Sequence, residues 1–283
     1  MNWHKNTNLA LGCMILAAAI TGCTNPHLRR STAEIIAAKA NLHMSVISTS
    51  IFEVVVFHRG LDNNKHLHVY IEGDGFGWKT RTRQSNDPTP KNPVSLKLAS
   101  LDPHPSILYI ARPCQYLNKS QLVNCNPKYW SHYRYSADVI ESVNEILQWA
   151  QSHRSEPQKN IVLIGFSGGG TVAALTAAQR TDVERLLTIA ANLDHRYWSR
   201  LHGNTLLSHS LNPPDFAHSL KELKQLHLVG SNDINVPRSV VERYLDQIGL
   251  PGTVLMEVEG YNHDCCWEEL WPEPLCTWAS TAC

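Results

Sequence analysis

Hydrophobic positions along the chain fall into two patterns, short apolar runs and longer segments with a helical repeat. Runs that are rich in β-branched residues, or that alternate with polar residues, predict β-strands. They cover residues 51–58, 66–72, 106–111, 161–164, 186–193, 225–230 and 253–259. Apolar residues at helical spacing predict helices over residues 139–150, 172–178 and 238–248, with a brief helix near residues 92–99. Strands that alternate with helices predict an α/β fold, a mostly parallel sheet with helices on both faces.

The composition narrows the class of protein. The chain has 283 residues, of which 43% are hydrophobic, and this fits one globular domain. Its 25 basic and 25 acidic side chains balance, and Lys and Arg do not occur in blocks. The charge pattern therefore argues against a nucleic-acid partner and against electrostatic attraction to a membrane.

The strand at residues 161–164 leads into Gly165-Phe166-Ser167-Gly168-Gly169, which has the spacing of a nucleophile elbow. This sharp strand-to-helix turn exposes the serine hydroxyl above the edge of a sheet. Side chains two residues before and after the serine would be crowded, so glycine suits both places. Gly168 begins the next helix, and its unpaired N–H and the helix dipole would face a developing oxyanion.

The alternative is a glycine-rich connection that binds phosphate. The spacing of the elbow alone arises by chance in roughly one chain of this length in ten. However, an apolar strand precedes it and a helix-prone run follows it. The chain here also lacks the lysine of a P-loop and the spacing of a dinucleotide fingerprint. We therefore predict that Ser167 is a nucleophile.

A second glycine-rich stretch, Gly73-Asp74-Gly75, follows the strand at residues 66–72. Glycines let backbone N–H groups come close to a substrate. With the elbow, this loop resembles the α/β-hydrolase superfamily, in which the same strand ends in His-Gly-x and donates one N–H to the oxyanion hole. Glu72 stands where the family usually has His. The resemblance implies that Gly168 and either Asp74 or Gly75 donate to the oxyanion, and that the Asp74 carboxylate points away from it.

A serine nucleophile needs a general base, and the base needs an orienting carboxylate. Asp233 lies just after the strand at residues 225–230, and His263 lies just after the last predicted strand. The order Ser, Asp, His is the one that the α/β-hydrolase superfamily uses. The resemblance therefore implies a catalytic triad of Ser167, Asp233 and His263.

Other residues compete for these two roles. Asp194 follows the strand at residues 186–193, a second position that the superfamily uses for its acid, although the residues after Asp233 resemble the family's usual continuation. Among 15 histidines, His195 is the main competitor of His263. His68 and His227 lie within predicted strands and are more typical of sheet residues.

Two loops could shape a substrate pocket. Residues 112–135 contain two cysteines and the aromatic residues Tyr116, Tyr129, Trp130, Tyr133 and Tyr135. These aromatic side chains could line a pocket, or they could simply pack a loop tied by a disulfide. Residues 194–222 are irregular, with two prolines and with leucines at 206, 207 and 211 that we expect to be exposed, and could form a small lid.

The N-terminus has the features of an export signal. Lys5 precedes an apolar run over residues 9–20, which is shorter than the ~20 residues of a spanning helix. The run ends in Ile20-Thr21-Gly22-Cys23, which resembles the bacterial lipobox. The resemblance implies that residues 1–22 are a cleaved signal peptide and that Cys23 carries the lipid. An ordinary signal peptide and an uncleaved anchor are the alternatives.

The same resemblance implies a location. Thr24, rather than Asp, follows the lipidated cysteine, and in Gram-negative lipoproteins this favours the outer membrane, facing the periplasm. Residues 23–30 would then be a lipidated tether before a hydrolase domain over residues 31–283. Ser31 and Glu34 have capping-box spacing, so a short helix should begin directly after the tether.

Export to an oxidising compartment makes disulfides the expected state of the remaining cysteines. These are Cys114, Cys125, Cys265, Cys266, Cys276 and Cys283. Six cysteines allow 15 connectivities, but proximity favours Cys114 with Cys125, and the Cys265/Cys266 pair with Cys276 and Cys283. A metal site is the rival interpretation. The sequence argues against it, because it contains neither the C-x₂-C nor the His-x₃-His spacing of common zinc sites.

These features together predict a lipid-anchored serine hydrolase that cleaves carboxylic esters or thioesters through an acyl-enzyme intermediate, without a cofactor. Its partners would be an acyl ester or lipid substrate and, through the anchor, a membrane. An acyltransferase on the same triad is one alternative. A catalytically silent binding lipoprotein is the alternative from a different class.

Overall fold

A computed structural model describes residues 25–63, 65–122, 124–155, 161–249 and 253–279. Its elements are, in chain order, α1 (Pro26–Lys39), β1 (His43–Ser48), β2 (Glu53–Arg59), β3 (Leu67–Ile71), β4 (Trp78–Thr80), β5 (Arg83–Gln84), α2 (Val94–Leu101), β6 (Ile107–Ile110), α3 (Ala137–Gln151), β7 (Ile161–Phe166), α4 (Gly168–Ala177), β8 (Val183–Ile189), α5 (His195–Leu201), α6 (Ala217–Leu220), β9 (Lys224–Gly230), α7 (Arg238–Ile248), β10 (Thr253–Val258), α8 (Trp267–Leu270) and α9 (Glu273–Ala279). The predicted signal peptide and Cys23 lie outside the described residues.

The described strands form an eight-stranded sheet in the order β1-β2-β6-β3-β7-β8-β9-β10, and β4 and β5 form a separate hairpin. β1 with β2 and β2 with β6 are antiparallel, and every other pair in the large sheet is parallel. The predicted mostly parallel α/β sheet is therefore confirmed. The hydrophobic pattern missed β1, because none of its six residues is fully buried.

The core is divided between the two faces of this sheet. In β7, Ile161 and Leu163 belong to a cluster that contains α3, α4 and α7, whereas Val162 and Ile164 belong to a second cluster with α1 and α2. Successive residues of a strand point to opposite faces, so a strand covered on both sides is apolar throughout. For this reason the central strands appear in the sequence as continuous apolar runs.

The N-terminal helix begins earlier than predicted. Asn25 is the N-cap, its side chain accepts a hydrogen bond from the backbone N–H of His27 at 3.0 Å, and Pro26 occupies the first helical position. Arg29 is buried and donates to the carbonyl oxygen of Thr89. Residues 26–30 are therefore not a free tether, and Ser31 lies inside α1 rather than at its start.

The segment over residues 194–222 is more ordered than predicted. It contains α5 and α6, and Leu207 is 5% exposed within the core, whereas Leu206 is 46% exposed as expected. Whether the segment acts as a lid stays a prediction.

Cys114 and Cys125 form the predicted disulfide, with their Cα atoms 5.6 Å apart. The prediction for Cys265 and Cys266 is wrong, because these adjacent residues are bonded to each other. The chain turns tightly there: the side-chain oxygen of Asn262 accepts hydrogen bonds from the backbone N–H groups of Asp264 and Cys265. Cys276 is disulfide-bonded, and Cys283 lies outside the described residues.

The predicted membrane contact rests on the N-terminus. Within the described ranges, every helix is too short or too polar to cross a bilayer.

Candidate active site

Ser167 lies at the turn between β7 and α4, with φ +53° and ψ −123°. A positive φ is strained for a residue with a side chain, and such strain is common at functional sites. The backbone N–H of Ser167 donates to the carbonyl oxygen of Ile189 at 2.9 Å, which holds the turn against β8. A Cβ at Gly165 would overlap the carbonyl oxygen of Gly169, so the crowding expected at the elbow is present.

His263 and Asp233 meet Ser167 at this edge of the sheet. The Nε2 atom of His263 lies 2.9 Å from the Oγ atom of Ser167, and its Nδ1 atom lies 2.8 Å from the Oδ2 atom of Asp233. Ser167 follows β7, Asp233 follows β9 and His263 follows β10, so parallel strands bring together three residues that are far apart in sequence. The arrangement is that of a serine nucleophile, an adjacent base and an orienting carboxylate.

The surrounding chain fixes the orientation of both partners. The Asp233 side chain is fully buried, and its second oxygen, Oδ1, accepts hydrogen bonds from the backbone N–H groups of Asn235 and Val236 at 2.9 and 2.8 Å. The carbonyl oxygen of His263 accepts a hydrogen bond from the indole of Trp267 at 3.1 Å. Asp233 therefore orients the imidazole, and Trp267 holds the backbone of His263.

The competing residues lie in other environments. Asp194 caps α5, where it accepts hydrogen bonds from the backbone N–H of Tyr197 and from the side chains of Asn212 and Gln247. His195 is buried, its Nε2 atom lies 3.0 Å from the carbonyl oxygen of Leu211, and burial lowers its pKa to about 4.

The two histidines assigned to strands are in the sheet, as expected. His68 lies in β3 and pairs with Asp102 at 2.7 Å, and His227 lies in β9 with its pKa lowered to about 3 by burial.

The Asp74 carboxylate lies against the elbow, and whether it points away from the oxyanion stays a prediction. A Cβ at Gly168 would overlap it, so it lies directly against the first residue of α4. Arg112 and Arg134 contact its two oxygens at 3.0 and 2.8 Å, and the Tyr135 hydroxyl donates to it at 2.9 Å. Burial alone would raise the pKa of Asp74, but the two guanidinium groups bring that pKa below its usual value. The positive charges of Arg112 and Arg134 therefore stabilise an ionised Asp74 beside Gly168.

Glu72, which stands where the α/β-hydrolase superfamily usually has His, is buried and contacts the backbone of the loop that follows it. Its Oε1 atom accepts a hydrogen bond from the backbone N–H of Gly73 at 2.9 Å, and the Tyr109 hydroxyl donates to Oε2 at 3.1 Å. Burial raises the pKa of Glu72 to about 7, although these hydrogen bonds oppose the rise. The side chain thus fixes the backbone that leads into Asp74 and Gly75.

The N–H groups of this loop are available for a ligand. Among the described residues, no acceptor pairs with the backbone N–H of Asp74 or Gly75. Gly168 is the first residue of α4, where an N–H has no partner within the helix.

A cleft of about 550 Å³ opens beside Ser167 and His263. Of the five aromatic residues predicted to line a pocket or to pack a loop, Trp130 and Tyr135 line this cleft, whereas Tyr116 and Tyr129 belong to the core. The sequence did not indicate Trp198 or Asn192, which also line it. Both residues follow β8, at the carboxyl edge of the sheet. Because ligands of parallel sheets bind at that edge, this position alone could have indicated them.

Known structures share this architecture. A putative lipase from Acinetobacter baumannii is 12% identical with a TM-score of 0.60, covering 89% of this chain and 95% of its own. An esterase from Pyrococcus furiosus is 13% identical with a TM-score of 0.57, covering 84% and 90%. An α/β serine hydrolase homologue from Coxiella burnetii is 17% identical with a TM-score of 0.53, covering 78% and 89%. The chain therefore has the α/β-hydrolase fold.

Sequence comparisons alone do not reach this result. No protein-family model matches the chain, and no curated protein matches it.

Proposed function

We propose that this protein is a serine hydrolase that cleaves carboxylic esters or thioesters. The observation that carries the proposal is the continuous contact from Ser167 through His263 to Asp233, at 2.9 and 2.8 Å. A hydrogen-bonded chain of this kind raises the nucleophilicity of a serine hydroxyl. The lipase and esterase among the similar structures, and the serine hydrolase homologue, agree with this chemistry.

In the proposed reaction, the Oγ atom of Ser167 attacks the carbonyl carbon while the Nε2 atom of His263 accepts the hydroxyl proton. The imidazolium then gives this proton to the leaving alcohol or thiol, and the acyl group stays bonded to Oγ. Water attacks the acyl-enzyme with His263 as the base, which releases the acid and restores Ser167. Asp233 holds the imidazole and stabilises its charged form.

The negative oxygen of each tetrahedral intermediate needs hydrogen-bond donors. We assign this role to the backbone N–H of Gly168 together with that of Asp74 or Gly75. Arg112 and Arg134 stabilise this site indirectly, because they compensate the Asp74 carboxylate that would otherwise oppose a developing anion.

A fluorophosphonate probe tests the proposal, because it reacts with activated serines. We expect stoichiometric label on Ser167, located by peptide mass spectrometry, and loss of that label in Ser167→Ala. A folded protein that remains unlabelled, or that is labelled at another serine, would contradict the proposal. The partition of product between water and an added alcohol separates a hydrolase from an acyltransferase on the same residues.

We further propose that the mature protein is a lipoprotein, anchored through Cys23 in the outer membrane and facing the periplasm. The lipobox resemblance at residues 20–23 supports this. Two or more acyl chains on one residue suffice for stable anchoring, since each buried CH₂ contributes about 0.8 kcal/mol.

The anchor predicts a specific N-terminus. Protein extracted from membranes should begin at Cys23 and carry the mass of a diacylglycerol and an amide-linked acyl chain. The Cys23→Ser variant should be released from the membrane or remain an uncut precursor. An unmodified chain that begins at Met1 as the mature species would refute the anchor.

A further inference from the structure

The cleft beside Ser167 has aromatic rather than aliphatic walls. Six aromatic side chains line it, namely Phe76, Trp78, Trp130, Tyr135, Phe166 and Trp198. Among the described residues around it, Pro90 and Val236 are the aliphatic ones. Flat aromatic side chains offer faces on which a rigid ring can stack, and a flexible alkyl chain gains nothing comparable from that geometry. The walls therefore favour a ring-shaped substrate with a short acyl group.

Two of these aromatic side chains are held in place before a substrate arrives. The indole N–H of Trp198 donates to the carbonyl oxygen of Asn235 at 2.7 Å, and that of Trp130 donates to the carbonyl oxygen of Ser85 at 3.0 Å. A wall that is already ordered loses little entropy when a ligand packs against it.

Amide side chains also line the cleft, and they belong to Asn92, Asn192 and Asn235. An amide group can both donate and accept hydrogen bonds. A hydroxylated ring could pair with these side chains, whereas neither an alkyl chain nor a plain aryl ring could.

A second cavity of about 280 Å³ adjoins the first, because Trp78, Arg134 and Trp198 line both. Its lining also includes Arg81 and His132, and no acidic residue is present among the described side chains around it. Within the described residues, Arg81 makes no ion pair. Arg134 is already paired with the Asp74 carboxylate, which Arg112 also contacts. Two guanidinium groups that share one carboxylate, together with Arg81, leave a net positive charge at this cavity, and such a charge attracts an anion.

We propose that the substrate is a short-chain acyl ester of an acidic saccharide. The scissile ester would lie at Ser167, a sugar ring would pack against Trp78 and Trp198, and the negative group would occupy the basic cavity beside Arg81 and Arg134. This inference rests on the proposed ester hydrolysis and names its substrate class.

The test compares three kinds of ester with the full exported protein. O-acetylated oligogalacturonate and O-acetylated xylo-oligosaccharide present the same acyl group on an acidic and on a neutral sugar. An O-acetylated sugar phosphate asks whether a phosphate can replace the carboxylate, and p-nitrophenyl acetate and dodecanoate report general esterase activity and chain-length preference. We expect kcat/KM on the acidic sugar to exceed that on the neutral one at least tenfold.

Arg81→Gln should reduce this acidic-to-neutral ratio about tenfold, chiefly through KM. Arg83→Gln is the matched control, because Arg83 is an exposed arginine of the same hairpin that does not line either cavity. It should keep the ratio of the unmodified protein. Added salt should also lower the ratio, since the attraction is electrostatic.

The outcomes separate the inference from the function on which it rests. Turnover of p-nitrophenyl acetate together with a preference for dodecanoate, or with an equal ratio in Arg81→Gln, would overturn the substrate class alone. Absence of turnover on every ester, with Ser167 unlabelled by a fluorophosphonate, would overturn both.

Discussion

Ser167→Ala and His263→Ala should each lower the turnover of a simple ester by about 10⁶, and the double variant should lose no more than either one. In the proposed mechanism the two side chains act in one step. Across their 2.9 Å contact the serine would give its proton to the imidazole as it attacks. When either residue is removed, the other can no longer take part in the proton transfer, so removing it as well costs nothing further. The residual activity would come from substrate binding and the oxyanion donors.

The measurement is kcat on p-nitrophenyl acetate for the three variants, at one pH and after a check of folding by circular dichroism. Ser208→Ala and His218→Ala are suitable controls, since both side chains are exposed and lie outside the cleft. Losses that multiply in the double variant would mean that Ser167 and His263 act independently, and the proposed mechanism would be wrong.

The positions of Ser167, Asp233 and His263 could be predicted because each depends on one strand and its end. The carboxyl ends of parallel strands meet at one edge of a sheet, so chain order alone brings the three residues together. The local sequence also reports directly on the elbow, since the crowding at Gly165 tolerates no side chain.

The walls of the cleft depend on long loops, and their neighbours cannot be read from local sequence. Arg112 and Arg134 lie 38 and 60 residues from Asp74, yet they hold its carboxylate. The charge of Asp74 alone could not indicate these two guanidinium groups, because both lie far from it in the sequence.

Errors at the N-terminus and in the C-terminal cysteines have local causes. Asn25 and Pro26 are as good a helix start as Ser31, and the burial of Arg29 against the loop at Thr89 extends the helix to that earlier start. The bond between Cys265 and Cys266 joins adjacent residues, a pairing that proximity to Cys276 and Cys283 did not indicate.

Asp233→Asn should lower kcat by about 10⁴, whereas Asp194→Asn should lower it less than about tenfold. Both changes keep the size of the side chain. In Asp233→Asn, the amide oxygen can still accept the hydrogen bonds from Asn235 and Val236, which leaves the amide N–H₂ group facing the Nδ1 atom of His263. Two donors cannot pair, so the imidazole must place its proton on Nε2, where it can no longer accept the proton of Ser167.

Asp194→Asn disturbs a different set of contacts. An asparagine can still cap α5, but its N–H₂ group would replace an oxygen that accepts from Asn212 or Gln247. This is an effect on stability of about 1 kcal/mol rather than on the chemical step. A thermal melt and kcat measured on the same preparation separate the two effects. If Asp194→Asn instead lost the larger share of kcat with an unchanged melting temperature, the orienting carboxylate would be Asp194. Ser167 and His263 would keep their roles, and the contact between His263 and Asp233 would serve only to place the loop after β10.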